Sequence, residues 1–180
     1  MVAAAVGAQD LRFFQLGTGP TGETRFPIGG LIANALSNPP GSRECERGGS
    51  CGVPGLVAVA KSTGGSVANI EALRTRRLDA ALVHADVAFW ANHGIGPYKG
   101  HMVPNLRGIA MIYPEALHLV ARRDAGIATV KDLRGKRVWL GEPDSAIALH
   151  GRLILGAWGL TEKQVKPVAL KSPAAAAAAA

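Results

Sequence analysis

Residues 56–84 have the sequence LVAVAKSTGGSVANIEALRTRRLDAALVH, which contains the clearest indication of the architecture. The apolar run at residues 56–60 predicts a buried strand, and the Gly-rich turn at residues 62–66 leads into helical spacing over residues 67–76. A second apolar run at residues 80–84 predicts another strand. A strand, a helix and a second strand in this order form the repeating unit of a parallel sheet.

The same alternation extends outward from this stretch in both directions. Apolar runs predict further strands at residues 11–16, 108–113, 117–122, 138–140 and 165–170. Helical spacing predicts further helices at residues 28–36, 86–93 and 146–158. Because strands alternate with helices at short spacing, the sequence predicts a parallel α/β architecture.

Composition limits the class of protein. The chain has 180 residues, of which 48% are hydrophobic, so one domain or two small lobes can bury a core, and global disorder is excluded. No apolar run approaches the length of a membrane span, which predicts a soluble body. The net charge of +7 permits contact with nucleic acid or a membrane surface and equally suits a protein that handles anions. The basic clusters lack interleaved aromatic residues, so no nucleic-acid partner is predicted.

The two cysteines, Cys45 and Cys51, stand six positions apart in a Gly-rich loop. Such a loop can bring them within bridging distance, and a single pair favours a structural disulfide in an oxidising compartment. Two free thiols are the alternative. A metal site needs more ligands than two thiolates, and a redox pair more typically has C-x-x-C spacing.

Both ends of the chain have features of processing. Residues 6–8 resemble the small-residue end of a signal peptide, and an ordinary frayed terminus is the alternative. Ser172 and Pro173 precede seven alanines, which could open a helix or mark a truncation.

Two motif matches do not carry their usual function. Residues 17–22 fit G-x-G-x-x-G, but the next strand ends at Lys61 and Ser62, without the acidic residue that binds a ribose. Residues 48–52 fit G-x-S-x-G, but no strand precedes the serine as a nucleophile elbow requires. The histidines show no metal-binding spacing. The sequence therefore predicts no cofactor and no metal.

Three loops, at residues 18–24, 63–67 and 144–146, each follow a strand and open a helix. Each offers hydroxyl groups and free backbone N–H groups, and helix N-termini favour carboxylates or phosphates. In parallel sheets such loops gather at the carboxyl ends of the strands, where ligands bind. Ordinary helix caps are the alternative, but three such loops together favour anion binding.

Several longer runs resemble, in the same order, the solute-binding proteins of TAXI-type TRAP transporters. These runs are TGPTGETRFPIGGLIANAL (residues 18–36), CERGGSCGVPGLVAVAKSTGGSVANI (45–70), ADVAFWA (85–91), NLRGIAMIYPEALHLVAR (105–122) and DLRGKRVWLGEP (132–143). The resemblance covers residues 11–170. It implies a periplasmic-binding-protein fold of type II, which is α/β with two lobes and parallel-rich sheets.

The resemblance also implies a lobe organisation. Lobe 1 is expected at residues 9–113, without its returning C-terminal segment, and a partial lobe 2 at residues 114–180. The second lobe is then incomplete, and the chain resembles a C-terminally truncated family member. The crossing between the lobes is expected near Tyr113.

The resemblance implies a set of ligand-binding residues: Thr18, Gly19, Thr21, Gly22, Phe26, Gly65, Ser66, Asp86, Tyr113 and Ser145. Phe26 stands where the family commonly has tyrosine, so one hydroxyl is missing. Asp144 and Ile147 lie where the family commonly has a Gly-Ser-Gly-Thr-like run, and Asp144 adds a negative charge beside Ser145.

The function that the resemblance implies is a periplasmic receptor without catalytic chemistry. It would capture a small organic anion, such as glutamate or another carboxylate, and deliver it to the membrane permease subunits of a TRAP transporter. An enzyme on the same lobed fold and a sensory ligand-binding module are the alternatives. An enzyme needs a titratable group in the cleft, and Asp86 and Asp144 are the only candidates, neither with an obvious partner in the sequence.

Overall fold

The computed structural model describes residues 10–170, in which short strands alternate with helices. The strands are β1 (Arg12–Gly17), β2 (Ser37–Asn38), β3 (Val53–Pro54), β4 (Leu56–Lys61), β5 (Ala80–Ala81), β6 (Arg137–Val138) and β7 (Lys166–Pro167). The helices are α1 (Arg25–Leu36), α2 (Ser66–Arg74), α3 (Ala85–His93) and α4 (Ala146–Ala157). This is the mixed α/β architecture that the sequence predicts, and it is consistent with a periplasmic-binding-protein-like fold.

The main sheet has three parallel strands in the order β4-β1-β5. Arg12 of β1 pairs with Leu56 of β4, and Leu16 pairs with Ala80 of β5. The strand predicted at residues 80–84 is shortened to two residues. Because all three strands run the same way, their carboxyl ends lie at one edge of the sheet, and the loops that follow them open there.

Each helix buries one face against the core. In α2 the buried residues Ser66, Asn69 and Ile70 have the i, i+3, i+4 spacing of one helix face. Ile70 packs in a cluster with Val87 and Ala91 of α3.

Helix α4 contributes to two hydrophobic clusters. Its N-terminal residues Ala146 and Leu149 pack in the cluster of Ile70. Leu155, in its last turn, packs in a second cluster with Leu133 and Val165. One helix therefore joins the cluster packed against α2 and α3 to the cluster around the β6–β7 pair. The lobe boundary between residues 113 and 114 stays a prediction.

The strands predicted at residues 108–113 and 117–122 are wrong, because the structure has no strand in either segment. A strand needs a neighbour to complete its hydrogen-bond ladder, and neither segment pairs with another described residue. The side chains of Ile109 and Met111 are 88% and 89% exposed. An apolar run is thus not sufficient to make a strand where no partner strand lies beside it.

The predicted disulfide between Cys45 and Cys51 is confirmed. The bond closes the loop between β2 and β3, which pair in parallel through Ser37 and Val53. The predictions for residues 6–8 and for the alanine run after Pro173 lie outside the described residues. Within residues 10–170, none of the helices has the length and apolar character needed to cross a membrane.

Candidate functional site

The three predicted loops lie in contact at the carboxyl edge of the main sheet. The carbonyl of Gly19 accepts hydrogen bonds from the backbone N–H of Thr63, at 3.2 Å, and from the hydroxyl of Ser62, at 3.1 Å. The second loop in turn packs on the third, since a Cβ added to Gly65 would lie 3.3 Å from the Cα of Ser145. The first two loops meet because β1 and β4 are parallel neighbours, whereas the third loop follows no strand of this sheet and reaches the site by packing on Gly65, 80 positions earlier in the chain.

The start of α2 differs from the expectation of free N–H groups. The backbone N–H groups of Val67 and Ala68 both donate to the carbonyl of Asp144, each at 3.1 Å. Asp144 has φ of 61°, in the left-handed region that aspartate tolerates better than most residues. The third loop thus caps the second helix, and an anion would have to displace a carbonyl to reach these two donors.

Arg25, which the sequence analysis missed, lies at the centre of the loops. It is the first residue of α1, and only 5% of it is exposed. Its guanidinium donates through Nη1 to the Ser66 hydroxyl at 3.1 Å and pairs through Nη2 with the carboxylate of Glu23. A positive charge in the first turn opposes the helix dipole. This unfavourable placement of an arginine near a helix start is the feature of the sequence that could have identified Arg25 as a site residue.

Ser66 is fully buried and accepts two hydrogen bonds through one oxygen. The donors are Nη1 of Arg25 and the backbone N–H of His84, which lies 3.0 Å from Oγ. The residue that the resemblance placed at the second ligand loop therefore ties α1 to the chain entering α3.

Thr18 and Asn69 hold the strand ends rather than face an open site. The Thr18 hydroxyl donates to the carbonyl of Lys61 at 2.8 Å. The Asn69 amide donates to the carbonyls of Thr18 and Leu82, at 2.8 and 2.9 Å. Asn69 is a second residue that sequence reasoning missed, because its bonds fasten β1 to the end of β5 only once the sheet has formed.

Tyr113 has a buried hydroxyl that makes no hydrogen bond within 3.5 Å among residues 10–170. Burial raises the pKa of this phenol, and the Glu115 carboxylate raises it further, both by its charge and as a more distant hydrogen-bond acceptor; the charge of Arg25 lowers the pKa and that of Glu23 raises it. An unpaired buried hydroxyl costs free energy, which a ligand that bonds to it can recover. Tyr113 therefore adds an unused polar group near Arg25.

Asp86 has a partner that the sequence did not reveal. Its Oδ2 lies 2.6 Å from Nε2 of His150 on α4, 64 positions along the chain. His84, which precedes α3, lies with its Nε2 2.8 Å from Oε2 of Glu115. Burial lowers the pKa of His84, opposed by the charge of Glu115. The expectation that Asp86 lacks a partner is therefore wrong.

The remaining predicted ligand residues differ in accessibility. Thr21 and Gly22 are exposed, Phe26 is half-buried and Gly19 is buried. Ser145 is 1% exposed and caps α4, since its Oγ accepts the backbone N–H of Ala148 at 3.0 Å. The exposed members of the first loop are therefore accessible to a solute, whereas Ser145 serves its own helix.

A cavity of about 750 Å³ opens beside the contact between the second and third loops. Thr63 and Asp144 border it on the loop side, Val67 and Glu71 line it along α2, and Tyr98, from the segment after α3, also lines it. Arg25 and Tyr113 do not line it. Tyr98 resembles Tyr113 in having a buried hydroxyl with no partner in the described part of the chain.

Comparison with protein-family models gives one match that spans most of the chain. The model of the NMT1-like family matches residues 16–180. The match starts within β1 and includes all three loops, Arg25 and the residues from 84 to 150 that meet around Asp86.

Proposed function

Because the chain belongs to the NMT1-like family, a periplasmic-binding-protein-like family, we propose that it is an extracytoplasmic receptor for a small organic anion. The ligand class is a carboxylate, such as glutamate or another small carboxylic acid. The proposed contacts are Arg25, Tyr113 and the exposed first loop at Thr21 and Gly22.

The buried guanidinium of Arg25 is the observation that carries this proposal. An arginine has five N–H donors arranged in a planar fork that matches a carboxylate. Among residues 10–170, Ser66 and Glu23 engage Nη1 and Nη2. Glu23 presents to Arg25 the same chemical group as the proposed ligand, so a solute carboxylate can share or replace that contact.

The Tyr113 hydroxyl, which is close enough to Arg25 for that charge to lower its pKa, is the second proposed contact for a carboxylate. It is a neutral donor, because its pKa is raised further above neutral pH. A phenolic O–H bonded to a carboxylate makes a charge-assisted hydrogen bond. Tyr113 and Arg25 would then hold one carboxylate from two sides, and the buried hydroxyl would gain its missing partner.

We extend the proposal to the protein's setting on the resemblance to TAXI-type receptors. The partner would be the membrane permease subunits of a TRAP transporter, and the compartment would be the periplasm. The Cys45–Cys51 disulfide supports an oxidising compartment. The receptor releases its solute unchanged, so incubation with the captured carboxylate should yield no product.

The test is calorimetric titration of the 180-residue chain with a panel of small mono- and dicarboxylates and amino acids. Tyr113→Phe removes only the unpartnered hydroxyl, so the variant should fold and should bind the captured carboxylate about 10- to 100-fold more weakly. Tyr98→Phe is the matched control, since it also removes a buried unpartnered hydroxyl. Because Tyr98 lines the separate cavity beside α2 and is not one of the proposed contacts, Tyr98→Phe should leave affinity unchanged; a loss of affinity in Tyr98→Phe alone would place the solute in that cavity instead.

Arg25→Lys tests the guanidinium itself. Lysine keeps the charge and loses the fork, so affinity should fall while circular dichroism shows a folded protein. Equal affinities in Tyr113→Phe, Arg25→Lys and the parent chain would refute the assignment of the site. Binding that survives high salt distinguishes a specific pocket from general attraction by the net charge of +7.

A further inference from the structure

Three side chains of types that can bind a metal lie close together where α3 meets α4, beside the contact between Arg25 and Ser66. His84 immediately precedes α3, Asp86 lies in its first turn and His150 lies on α4. One nitrogen or oxygen from each of the three side chains lies within 4.8 Å of the others. The rings of His84 and His150 meet edge to face with centroids 5.4 Å apart.

We propose that His84, Asp86 and His150 bind one divalent transition-metal ion, and that Zn²⁺ is its best match. Two imidazoles and one carboxylate form a donor set that suits zinc and leaves a coordination position open for water or another ligand. The proposal goes beyond solute capture, because it requires neither a carboxylate nor a permease.

The spacing of the donors fits one small ion after a slight adjustment. Ligand atoms about 2.1 Å from a tetrahedral Zn²⁺ lie about 3.4 Å from one another. The observed separations bracket that value, from the 2.6 Å between His150 and Asp86 to the limit of 4.8 Å. Side-chain rotations that move each donor atom by less than about 1 Å would bring the three donors to this spacing, without a change in the helices.

Exposure and charge favour an ion at this place. The side chains of His84 and His150 are 18% and 17% exposed, whereas that of Asp86 is 43% exposed, so the cluster is open to solvent from the aspartate side. The carboxylates of Asp86 and Glu115 supply two negative charges against a divalent cation. The positive charge of Arg25, which also acts on His84, is paired with Glu23.

Glu115 acts as a positioning residue for His84. Its Oε2 lies 2.8 Å from Nε2 of His84, so His84 would have to bind the metal through Nδ1 if it keeps this contact. A carboxylate on the second ring nitrogen orients a ligating histidine and raises its basicity. Glu115→Gln should therefore weaken Zn²⁺ binding by about 10-fold, less than the loss of a ligand.

The competing interpretation is that Asp86 and His150 form an ordinary hydrogen-bonded pair. Calorimetric titration of the chelator-treated, re-purified chain with Zn²⁺ distinguishes the two. We expect one tightly bound ion per chain, and a loss of affinity of about 100-fold or more in His150→Gln and in Asp86→Asn, since even a positioning residue costs 10- to 100-fold. His93→Gln is the matched control, because His93 is an exposed histidine at the end of α3.

The outcomes separate cleanly. Absence of a tight site in the parent chain, or equal affinity in Asp86→Asn, would overturn the proposal. Asp86 is partly exposed, so its amide variant should keep the fold, and circular dichroism checks this for both variants. The titration contains no carboxylate solute, so its failure leaves the proposed receptor function standing, and failure of the solute titration leaves the metal site standing.

Discussion

Arg25 and Ser66, which are 41 positions apart, are joined by a buried hydrogen bond of 3.1 Å between Nη1 and Oγ. The bond connects the first turn of α1 with the first turn of α2. Both helices follow strands of the main sheet, so the contact fixes how the first two loops face each other. The integrity of the candidate site therefore depends on one hydroxyl oxygen.

Ser66→Ala should destabilise the fold by about 1 to 3 kcal/mol, because the N–H of His84 and Nη1 of Arg25 both lose their acceptor in a buried place. Urea denaturation of the parent and the variant measures the change. Ser62→Ala is the matched control, since Ser62 makes its bond from an exposed position, and it should cost much less. Equal costs for both serines would show that the buried bonds to Ser66 contribute little.

Gly65→Ala should cost about 1 to 3 kcal/mol for backbone strain, since Gly65 has φ of 113° and ψ of −156°, a conformation almost restricted to glycine. The added Cβ would also press on Ser145, at 3.3 Å from its Cα. Gly64→Ala is the neighbouring control, because its Cβ would meet only ordinary contacts at 3.5 Å. Thermal denaturation of the two variants should separate them, and a Gly65→Ala chain as stable as Gly64→Ala would contradict the left-handed backbone at Gly65.

Replacement of both Cys45 and Cys51 by serine should lower the free energy of unfolding by about 2 kcal/mol, because the unfolded chain then regains the freedom of the loop. Affinity for a solute should change little, as the disulfide lies outside the three loops. Mass spectrometry of the unreduced parent should find no alkylated cysteine. Two alkylated cysteines would contradict the bond.

Asp132 should make stability depend on acid pH. Backbone N–H groups of Thr129 and Ala128 hold the pKa of this carboxyl below its ordinary value of 3.8. The folded chain thus prefers the charged form, so the stabilisation is present above that value and is lost as pH falls through the lower folded pKa.

Asp132→Asn should therefore be less stable than the parent at neutral pH and should lose less stability in acid. Denaturation midpoints between neutral pH and strong acid give the comparison. Asp124→Asn is the control, because that carboxylate contacts the exposed Arg122 instead of backbone amides. If the denaturation midpoints of the parent and Asp132→Asn changed with pH in parallel, protonation of Asp132 would contribute nothing to the acid dependence.

The helices were predictable from sequence because their signals are local. The spacing over residues 67–76 and 146–158 is found again in α2 and α4 within two residues at each end. The strands at residues 108–113 and 117–122 were wrong for the opposite reason, since a strand depends on a partner elsewhere in the chain. Apolar side chains alone do not supply that partner.

The candidate site was predictable only in part. The positions of the first two loops follow from parallel-sheet geometry, which places helix starts at one edge of the sheet, whereas the third loop follows no strand of that sheet. The pairing of Arg25 with Ser66 and of Asp86 with His150 does not, because each joins segments that are 41 or 64 positions apart. Side chains that meet across such separations leave no spacing that a single sequence displays.

Because β1 lies between β4 and β5, it cannot pair with either neighbour until later parts of the chain have been synthesised. The ribosome makes β1 first, yet Arg12 pairs with Leu56, 44 positions later, and Leu16 pairs with Ala80, 64 positions later. Closing such long loops costs entropy before any pairing repays it. A nascent chain that has not reached residue 56 therefore carries β1 with two unpaired edges, which are open to pairing with other chains.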